Sequence, residues 1–354
     1  MVVNSFASSV TARNKVLMHQ TLSADHDVTI VETNRRGHAT RFAQDAASRG
    51  IDVVVAVGGD GTLNEVANGL AGSATALAVL PGGSTNVFAR TIGLPNDPVA
   101  SAHLTATALR AGSWRRVGLG VVNGRYFTFH TGIGFDAAIV ASVEKRASVK
   151  RWFGHPLFIY AGLRTWAVDY DRRRAHFQVS YPAPGADETP DATEVGTGVA
   201  PSPGATEVAG ETFGSMFTIV LNTNPYTYLG NRPFDLVPGA TLDAPLATVS
   251  FRRMSLRAMV PAMAGALRGG GLRPSDTVDV RTGITDLVVE HETPFPYQVD
   301  GDYLGETRRL VFRHAPDAMA LVVPVPPDTA KDDPAEADPT RDDPAHADAT
   351  NSAQ

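Results

Sequence analysis

The stretch richest in residues that could do chemistry is Gly58-Gly-Asp-Gly-Thr-Leu-Asn-Glu65, which follows the β-branched run 53–57. Gly58, Gly59 and Gly61 let the backbone turn tightly and leave no Cβ atoms in the way of an approaching ligand. Leu63, Val66, Ala67 and Leu70 then recur at the i, i+3, i+4, i+7 spacing of an amphipathic helix. Strand, glycine turn and helix N-terminus make phosphate-binding geometry, because the unpaired amides of a first helical turn and the positive end of the helix dipole stabilise an anion. Asp60 sits among these groups. A carboxylate beside bound phosphates is repulsive unless it holds a metal ion or takes a proton from an attacking hydroxyl, so its placement points to phosphoryl transfer. A helix-capping carboxylate is the structural alternative.

Competing motifs are absent. No G-x-x-x-x-G-K-[ST] occurs, and residues 58–63 do not fit G-x-G-x-x-G. Gly82-Gly-Ser-Thr-Asn86 misses the last glycine of a serine-hydrolase elbow, and the ten histidines show no H-E-x-x-H spacing. The Glu290-His291-Glu292 cluster reads as a solvated or edge-strand feature.

The elements that must position this loop alternate in type. Short β-branched runs at 28–31, 53–57 and 76–80 enclose helical patterns near 38–49 and from Leu63, the rhythm of a parallel α/β domain. From about residue 117 strand-like segments take over, at 126–129, 175–181, 216–221, 248–251, 277–280 and 286–290, which predicts a mostly antiparallel β part. Runs 309–313 and 319–323 read as two closing strands.

The 354 residues suffice for two domains. Absence of Cys excludes disulfides, thiolate metal sites and cysteine nucleophiles, and is compatible with a reducing compartment. The mean hydropathy of −0.08 and the lack of a long apolar run exclude bilayer-spanning helices, and the opening Met1-Val-Val-Asn-Ser5 shows no export pattern. The net charge of −6 is unevenly spread: residues 326–354 carry eight acids against Lys331 and Arg341, and 182–212 carry six acids and no Lys or Arg. Both stretches are expected to be disordered. The remaining body has 29 basic and 23 acidic residues, which favours an anionic ligand or surface. Residues 145–174, with eight Lys and Arg, two Asp and interleaved Trp152, Phe153, Phe158, Tyr160 and Trp166, suit an anionic lipid surface better than nucleic acid.

Residues 58–65 resemble the signature of the diacylglycerol kinase catalytic-domain family, which includes bacterial diacylglycerol kinases and sphingosine and ceramide kinases. Further matches follow in order. Val3-Asn4 with Ser8 resembles the family's first-strand loop, and Glu32-Thr33 before Gly37-His-Ala39 its Thr-x-x-Gly-x-Ala step. Leu80-Pro-Gly-Gly-Ser-Thr-Asn-Val-Phe-Ala-Arg90 resembles its second glycine loop, and Thr131-Gly-Ile-Gly-Phe-Asp-Ala137 its interdomain segment. Val299-Asp-Gly-Asp302 resembles the Asp-Gly-Glu that supplies the family's proposed base.

The resemblance spans residues 2–325. It implies an α/β nucleotide-binding domain like that of phosphofructokinases and NAD kinases over 1–116, with 315–325 returning to complete it. A β-sandwich lipid-binding domain is implied over 117–314. The implied activity is ATP- and Mg²⁺-dependent phosphorylation of diacylglycerol to phosphatidic acid. Alternatives are a sphingoid-base or other lipid kinase, an NAD-kinase-like enzyme, and a catalytically weak lipid- or nucleotide-binding regulator. Carried over by position, ATP contacts fall on Asn4, Ser8, Thr33, Gly59, Asp60, Gly61, Thr62, Leu63, Asn64, Glu65 and Ser84. Asp302 would be the general base, and Asp60 would orient Mg²⁺–ATP or share the base role. The sequence departs from the family at Ser5, which replaces Pro, at Val87 and Gly118, where many relatives carry Asp, and at Asp302, where Glu is usual. Asp243-Ala-Pro-Leu-Ala247 likewise stands where relatives often have Asp-Gly-x-x-Asp. The implied partner is a lipid at the membrane surface, with peripheral contact from the cytoplasm on the inner face of the plasma membrane. A homodimer is compatible with it, and no nucleic acid is expected.

Overall fold

The computed structural model describes residues 1–144, 176–182 and 210–326. The basic segment 145–174, nearly all of the acidic stretch 182–212 and the tail from 327 lie outside them.

Strands β1 (Val2–Asn4), β2 (Val31–Thr33), β3 (Val53–Gly58) and β4 (Ala76–Pro81) pair in parallel, in the order β2-β1-β3-β4. Helices α1 (Ala12–Ser23), α2 (His38–Ser48) and α3 (Asp60–Leu70) follow the first three, and α4 (Val87–Thr91) and α5 (Pro98–Arg110) come after β4. Helix α1 is capped by Thr11, whose hydroxyl accepts from the Asn14 amide, and α5 starts on an Asp97 cap with Pro98 in its first turn. The apolar stripe of α3 is buried at Leu63, Val66, Ala67 and Leu70. Helices α2 and α3 pack so closely that a Cβ on Gly69 would lie 2.6 Å from Ala43 Cβ.

Strand β2 begins later than the periodicity at 28–31 suggests. Its register is Val2↔Val31, Val3↔Glu32 and Asn4↔Thr33, so its length is limited by the three residues of β1, and residues 28–30 have no strand to pair with.

The antiparallel part comprises β5 (Trp114–Val122), β6 (Arg125–Phe127), β7 (His130–Gly134), β8 (Phe177–Tyr181), β9 (Glu211–Ser215), β10 (Phe217–Leu221), β13 (Leu246–Phe251), β14 (Val278–Ile284) and β15 (Asp286–Val299). Helices α6 (Phe135–Glu144) and α7 (Leu256–Leu267) accompany it, and a separate ribbon is formed by β11 (Thr227–Leu229) and β12 (Arg232–Phe234). The final strand, β16 (Asp302–Val322), joins the two regimes. It pairs antiparallel with β15 and β5, and near its end runs parallel to β4 through Ala320↔Ala76 and Leu321↔Leu77. The two closing strands expected at 309–313 and 319–323 are therefore one. Pro316 does not end it, because the register shifts between Ala315 and Met319 and Asp317 takes a positive φ, which absorbs the irregularity as a bulge. The result is an α/β region continued by a β-rich C-terminal part in one sheet, and residues Met1–Pro324 form one compact unit.

Candidate functional site

The glycine turn sits where two loops meet backbone to backbone. The Gly82 amide donates to the Gly58 carbonyl at 2.7 Å. A Cβ on Gly82 would lie 2.8 Å from Gly58 Cα, and one on Gly83 would lie 2.8 Å from Gly59 Cα. Glycine is therefore required at 82 and 83, where Cβ atoms would force the loops apart, while a Cβ on Gly58 would meet Thr62 Oγ1 at 2.7 Å.

Helix α3 starts on Gly59, and its first intrahelical bond is from the Leu63 amide to the Gly59 carbonyl. The amides of Gly61 and Thr62 precede it without an intrahelical carbonyl partner, the arrangement that attracts an anion, while the Asp60 amide interacts with its own carboxylate. Asn4, at the end of β1, donates from Nδ2 to Thr62 Oγ1 at 3.0 Å and accepts the Phe6 amide at 3.1 Å. It thereby fixes the loop after β1 against the first turn of α3.

The two acids of the glycine motif are engaged elsewhere. Asp60 Oδ2 and Oδ1 accept from the amides of Val87 and Phe88 at 3.0 and 3.2 Å, capping α4 rather than its own helix. Burial raises its pKa to about 6, opposed by those two amides. Glu65 Oε1 and Oε2 accept from Gly37 and Ala39 at 2.8 and 3.1 Å and so hold the start of α2, whose N-cap Gly37 has φ 81°.

The carboxylate that reaches the first turn of α3 comes from the turn between β15 and β16. A Cβ on Gly61 would lie 3.3 Å from Asp302 Oδ2, so Asp302 stands directly over the helix start. Its side chain is 33% exposed, with Arg36 Nη2 at 3.8 Å from Oδ1. The turn is held by Asp300, at φ 48°, which is buried. Its carboxylate accepts from the amides of Thr128, Phe129 and His130, from the Thr128 hydroxyl, and from Asn64 Nδ2 at 2.8 Å. Burial raises the Asp300 pKa against those bonds. The Gly301 amide donates to Gln298 Oε1, and Gln298 Nε2 donates to buried Asp136, which also accepts the Tyr226 hydroxyl. The Thr131–Ala137 segment thus braces the same turn. Asn64 links the halves: besides Asp300 it donates to the Tyr126 carbonyl and accepts from Arg125 Nη2 at 2.6 Å.

Asn4, Thr33, Gly61, Thr62, Glu65 and Asp302 line one cleft of about 290 Å³. Gly59 and Asp60 lie just behind it as cap and brace. Leu63 is buried in the core and Asn64 is buried under the turn, so neither faces the cleft. Ser8 and Ser84 lie on the adjoining loops and are not among its lining residues. Sequence reasoning missed Phe6, Asn34, Arg35 and Arg36, which complete the cleft. The dibasic pair after Thr33 was the available signal for two of them.

The residues present do not build a protein cage for Mg²⁺. Both oxygens of Asp60 have amide partners, and no group of three His, Asp or Glu side chains with ligand spacing occurs among the described residues. Neither family Asp position offers a replacement. Val87 supplies its amide to Asp60, and a Cβ on Gly118 would lie 2.3 Å from His314 Nε2, so the imidazole fills the space an Asp would need. A cation carried mainly by nucleotide phosphates and water would fit, with Asp302 and Glu65 the carboxylates that line the cleft.

Comparison with known proteins places the chain in a family. Residues 1–122 match the model of the diacylglycerol kinase catalytic domain. The chain is 30% identical over 316 residues to the "Probable lipid kinase YegS-like" protein of Pseudomonas aeruginosa strain UCBPP-PA14, covering 88% of this chain and 90% of that one. It is 42% identical over 106 residues to the diacylglycerol kinase of Bacillus subtilis, a match that spans 29% of this chain and 34% of that enzyme. A solved diacylglycerol kinase of Bacillus anthracis superposes with a TM-score of 0.58 at 19% identity, over 91% of this chain and 95% of that one.

Proposed function

Because the chain belongs to the diacylglycerol kinase catalytic-domain family of lipid kinases, we propose that it transfers the γ-phosphoryl group of ATP to the free hydroxyl of diacylglycerol, giving phosphatidic acid and ADP. The observation that carries this reading is the placement of the Asp302 carboxylate over Gly61, in the same cleft as Asn4, Thr33 and Thr62. A proton acceptor and an anion-binding helix start share one space there, which is what transfer to a hydroxyl requires.

In this reading the amides of the first turn of α3 hold phosphate oxygens, and Arg35 and Arg36 add positive charge at the rim. Phe6, 77% exposed at the mouth, offers a face for the nucleotide base. Asp302 accepts the hydroxyl proton as the lipid oxygen bonds to the γ-phosphorus and the bond to the β-γ bridging oxygen breaks. Mg²⁺, when bound with the nucleotide, supplies charge neutralisation on the phosphates. Asp60 acts on position: by capping α4 it fixes the second glycine loop against the first. Residues 117–314 are read as the lipid-receiving part, with a sandwich arrangement of its strands, acting at the inner face of the plasma membrane.

The test is transfer of labelled phosphate from ATP, resolved by thin-layer chromatography, with diacylglycerol, sphingosine and NAD offered side by side. Labelled phosphatidic acid is expected. Label on NAD alone, or on sphingosine alone, overturns the diacylglycerol assignment, and ATP binding without transfer to any acceptor favours a regulator.

A further inference from the structure

Helix α7 lies on the β-rich part, far along the chain from most residues of the cleft. One face is settled by packing: Met259 and Ala262 lie against a core cluster that includes the fully buried Ala266. Beside that seam, Val260, Met263 and Leu267 are 62%, 49% and 39% exposed, at the i, i+3, i+7 spacing of one stripe. A helix that simply covers a core presents polar side chains to water, whereas every exposed position over residues 259–267 is apolar. The ten residues 258–267, Ala-Met-Val-Pro-Ala-Met-Ala-Gly-Ala-Leu, contain no polar side chain at all.

The charge flanking the helix in sequence is predominantly positive, although Arg252 pairs with Glu211 and Asp279 and exposed Asp276 follows the stretch. Residues 252–275 contain five Arg and no Asp or Glu. Arg253 before the helix and Arg268 and Arg273 after it are exposed. Near the helix end stands Asp235, whose Oδ2 lies 3.4 Å from where a Gly269 Cβ would be and whose Oδ1 accepts from Asn224 Nδ2 at 2.7 Å. An exposed apolar stripe with arginines at both ends matches a surface that is apolar within and anionic at its boundary. A second copy of this chain would bring like charges together at the same ends, which disfavours self-association through this face.

We propose that α7 docks the protein on anionic bilayers, with Val260, Met263 and Leu267 entering the acyl boundary and Arg253, Arg268 and Arg273 meeting lipid phosphates. This deepens the lipid-kinase reading, on which the choice of a bilayer as occupant rests. The surface lies outside the basic segment 145–174 that the sequence alone suggests for this role.

The test is flotation of the full chain with vesicles of phosphatidylcholine alone or mixed with phosphatidylglycerol. The wild-type protein is expected to float with the mixed vesicles and to be released by salt. Met263→Glu should lower the bound fraction about tenfold and Arg268→Glu about fivefold, with phosphorylation of diacylglycerol in detergent micelles unchanged. As an independent reading that needs no loss of binding, Val260→Trp should show indole fluorescence quenched by brominated acyl chains. Failure of wild type to float, binding unaltered in both charge variants, or an indole left unquenched in the Val260→Trp variant overturns the proposal. So does sedimentation showing that Met263→Glu dissociates a dimer while vesicle binding is retained. A protein that docks normally but labels only NAD would overturn the lipid-kinase assignment and leave the docking surface standing.

Discussion

The glycine corner at 58–65 and the turn at 300–302 both carry two acids, and they use them in opposite ways. In the corner, Asp60 and Glu65 spend their oxygens on the amides that start α4 and α2, although Glu65 also lines the cleft, so these carboxylates serve as scaffold. In the turn, Asp300 is scaffold, with five donors on its carboxylate, and Asp302 two residues later faces the cleft. A phosphate site cannot tolerate several unpaired carboxylates close by, because their repulsion would oppose the ligand. The molecule resolves this by tying down the acids nearest the amides and importing one from a distant strand. Polar density in a motif therefore does not by itself identify the reacting group.

The contrast within the turn predicts the largest effects. Asp302→Ala should lower turnover by roughly 10²–10⁴-fold, the range for losing a general base, while ATP binding and urea stability stay near wild type. Asp302→Glu, which keeps the carboxylate, should keep measurable turnover. An active Ala variant would remove Asp302 from the chemistry. Asp300→Ala should do the reverse, costing on the order of 3 kcal/mol in urea unfolding because it strands the amides of Thr128, Phe129 and His130 in a buried site. Its turnover should also fall, since the turn no longer holds Asp302 over Gly61. Equal stability losses in the two variants would erase the division of roles.

What was legible in the sequence follows from how local each signal is. Strand β3, the glycine turn and α3 could be read directly because periodicity and glycine spacing act within a dozen residues. Asp302 was legible only through a family resemblance, since an Asp-Gly turn in a hairpin is a common structural feature. The partnership of Asn64 with Asp300 was not legible, because it joins residues 236 apart and no short-range pattern encodes it. The resemblance assigns Asn64 and Leu63 to ATP, whereas periodicity already puts Leu63 on the apolar stripe of α3, and the packed structure places Leu63 in the core and Asn64 under the turn. Strand β16 shows in the sequence only as the runs 309–313 and 319–323, because the bulge between them, where it pairs with β5, interrupts the strand pattern.

A smaller effect probes the corner's own geometry. Gly83→Ala would place a methyl 2.8 Å from Gly59 Cα and 3.1 Å from Asn86 Oδ1, and backbone cannot yield there as a flexible side chain could. Overpacking of this kind should cost about 1–3 kcal/mol in thermal or urea unfolding. Gly72→Ala is a useful contrast: its Cβ meets nothing within 4 Å, so any loss there reports only the strained φ of 79°.

The smallest effect concerns Asp60, whose burial both makes it a brace and penalises its charge. Its folded pKa is raised to about 6 from an ordinary value of 3.8, so the folded state binds the proton more readily than the unfolded chain. The associated stability is present below the unfolded value and is lost as pH rises through the folded one. Unfolding free energy should therefore decline between about pH 4 and pH 6, and Asp60→Asn should flatten part of that decline. The slope should not vanish, because burial also raises the pKa of Asp136 and Asp300, which remain in the variant. The amide of Asn keeps one acceptor oxygen and loses the other, so a cap cost of about 1 kcal/mol should appear at low pH, where the acid is already neutral, and shrink toward neutrality. Urea unfolding across that pH range measures both at once. An Asn variant whose profile parallels wild type throughout would mean that Asp60 is not the penalised acid of the corner, and the distinction between its braced carboxylates and the one at Asp302 would lose its energetic basis.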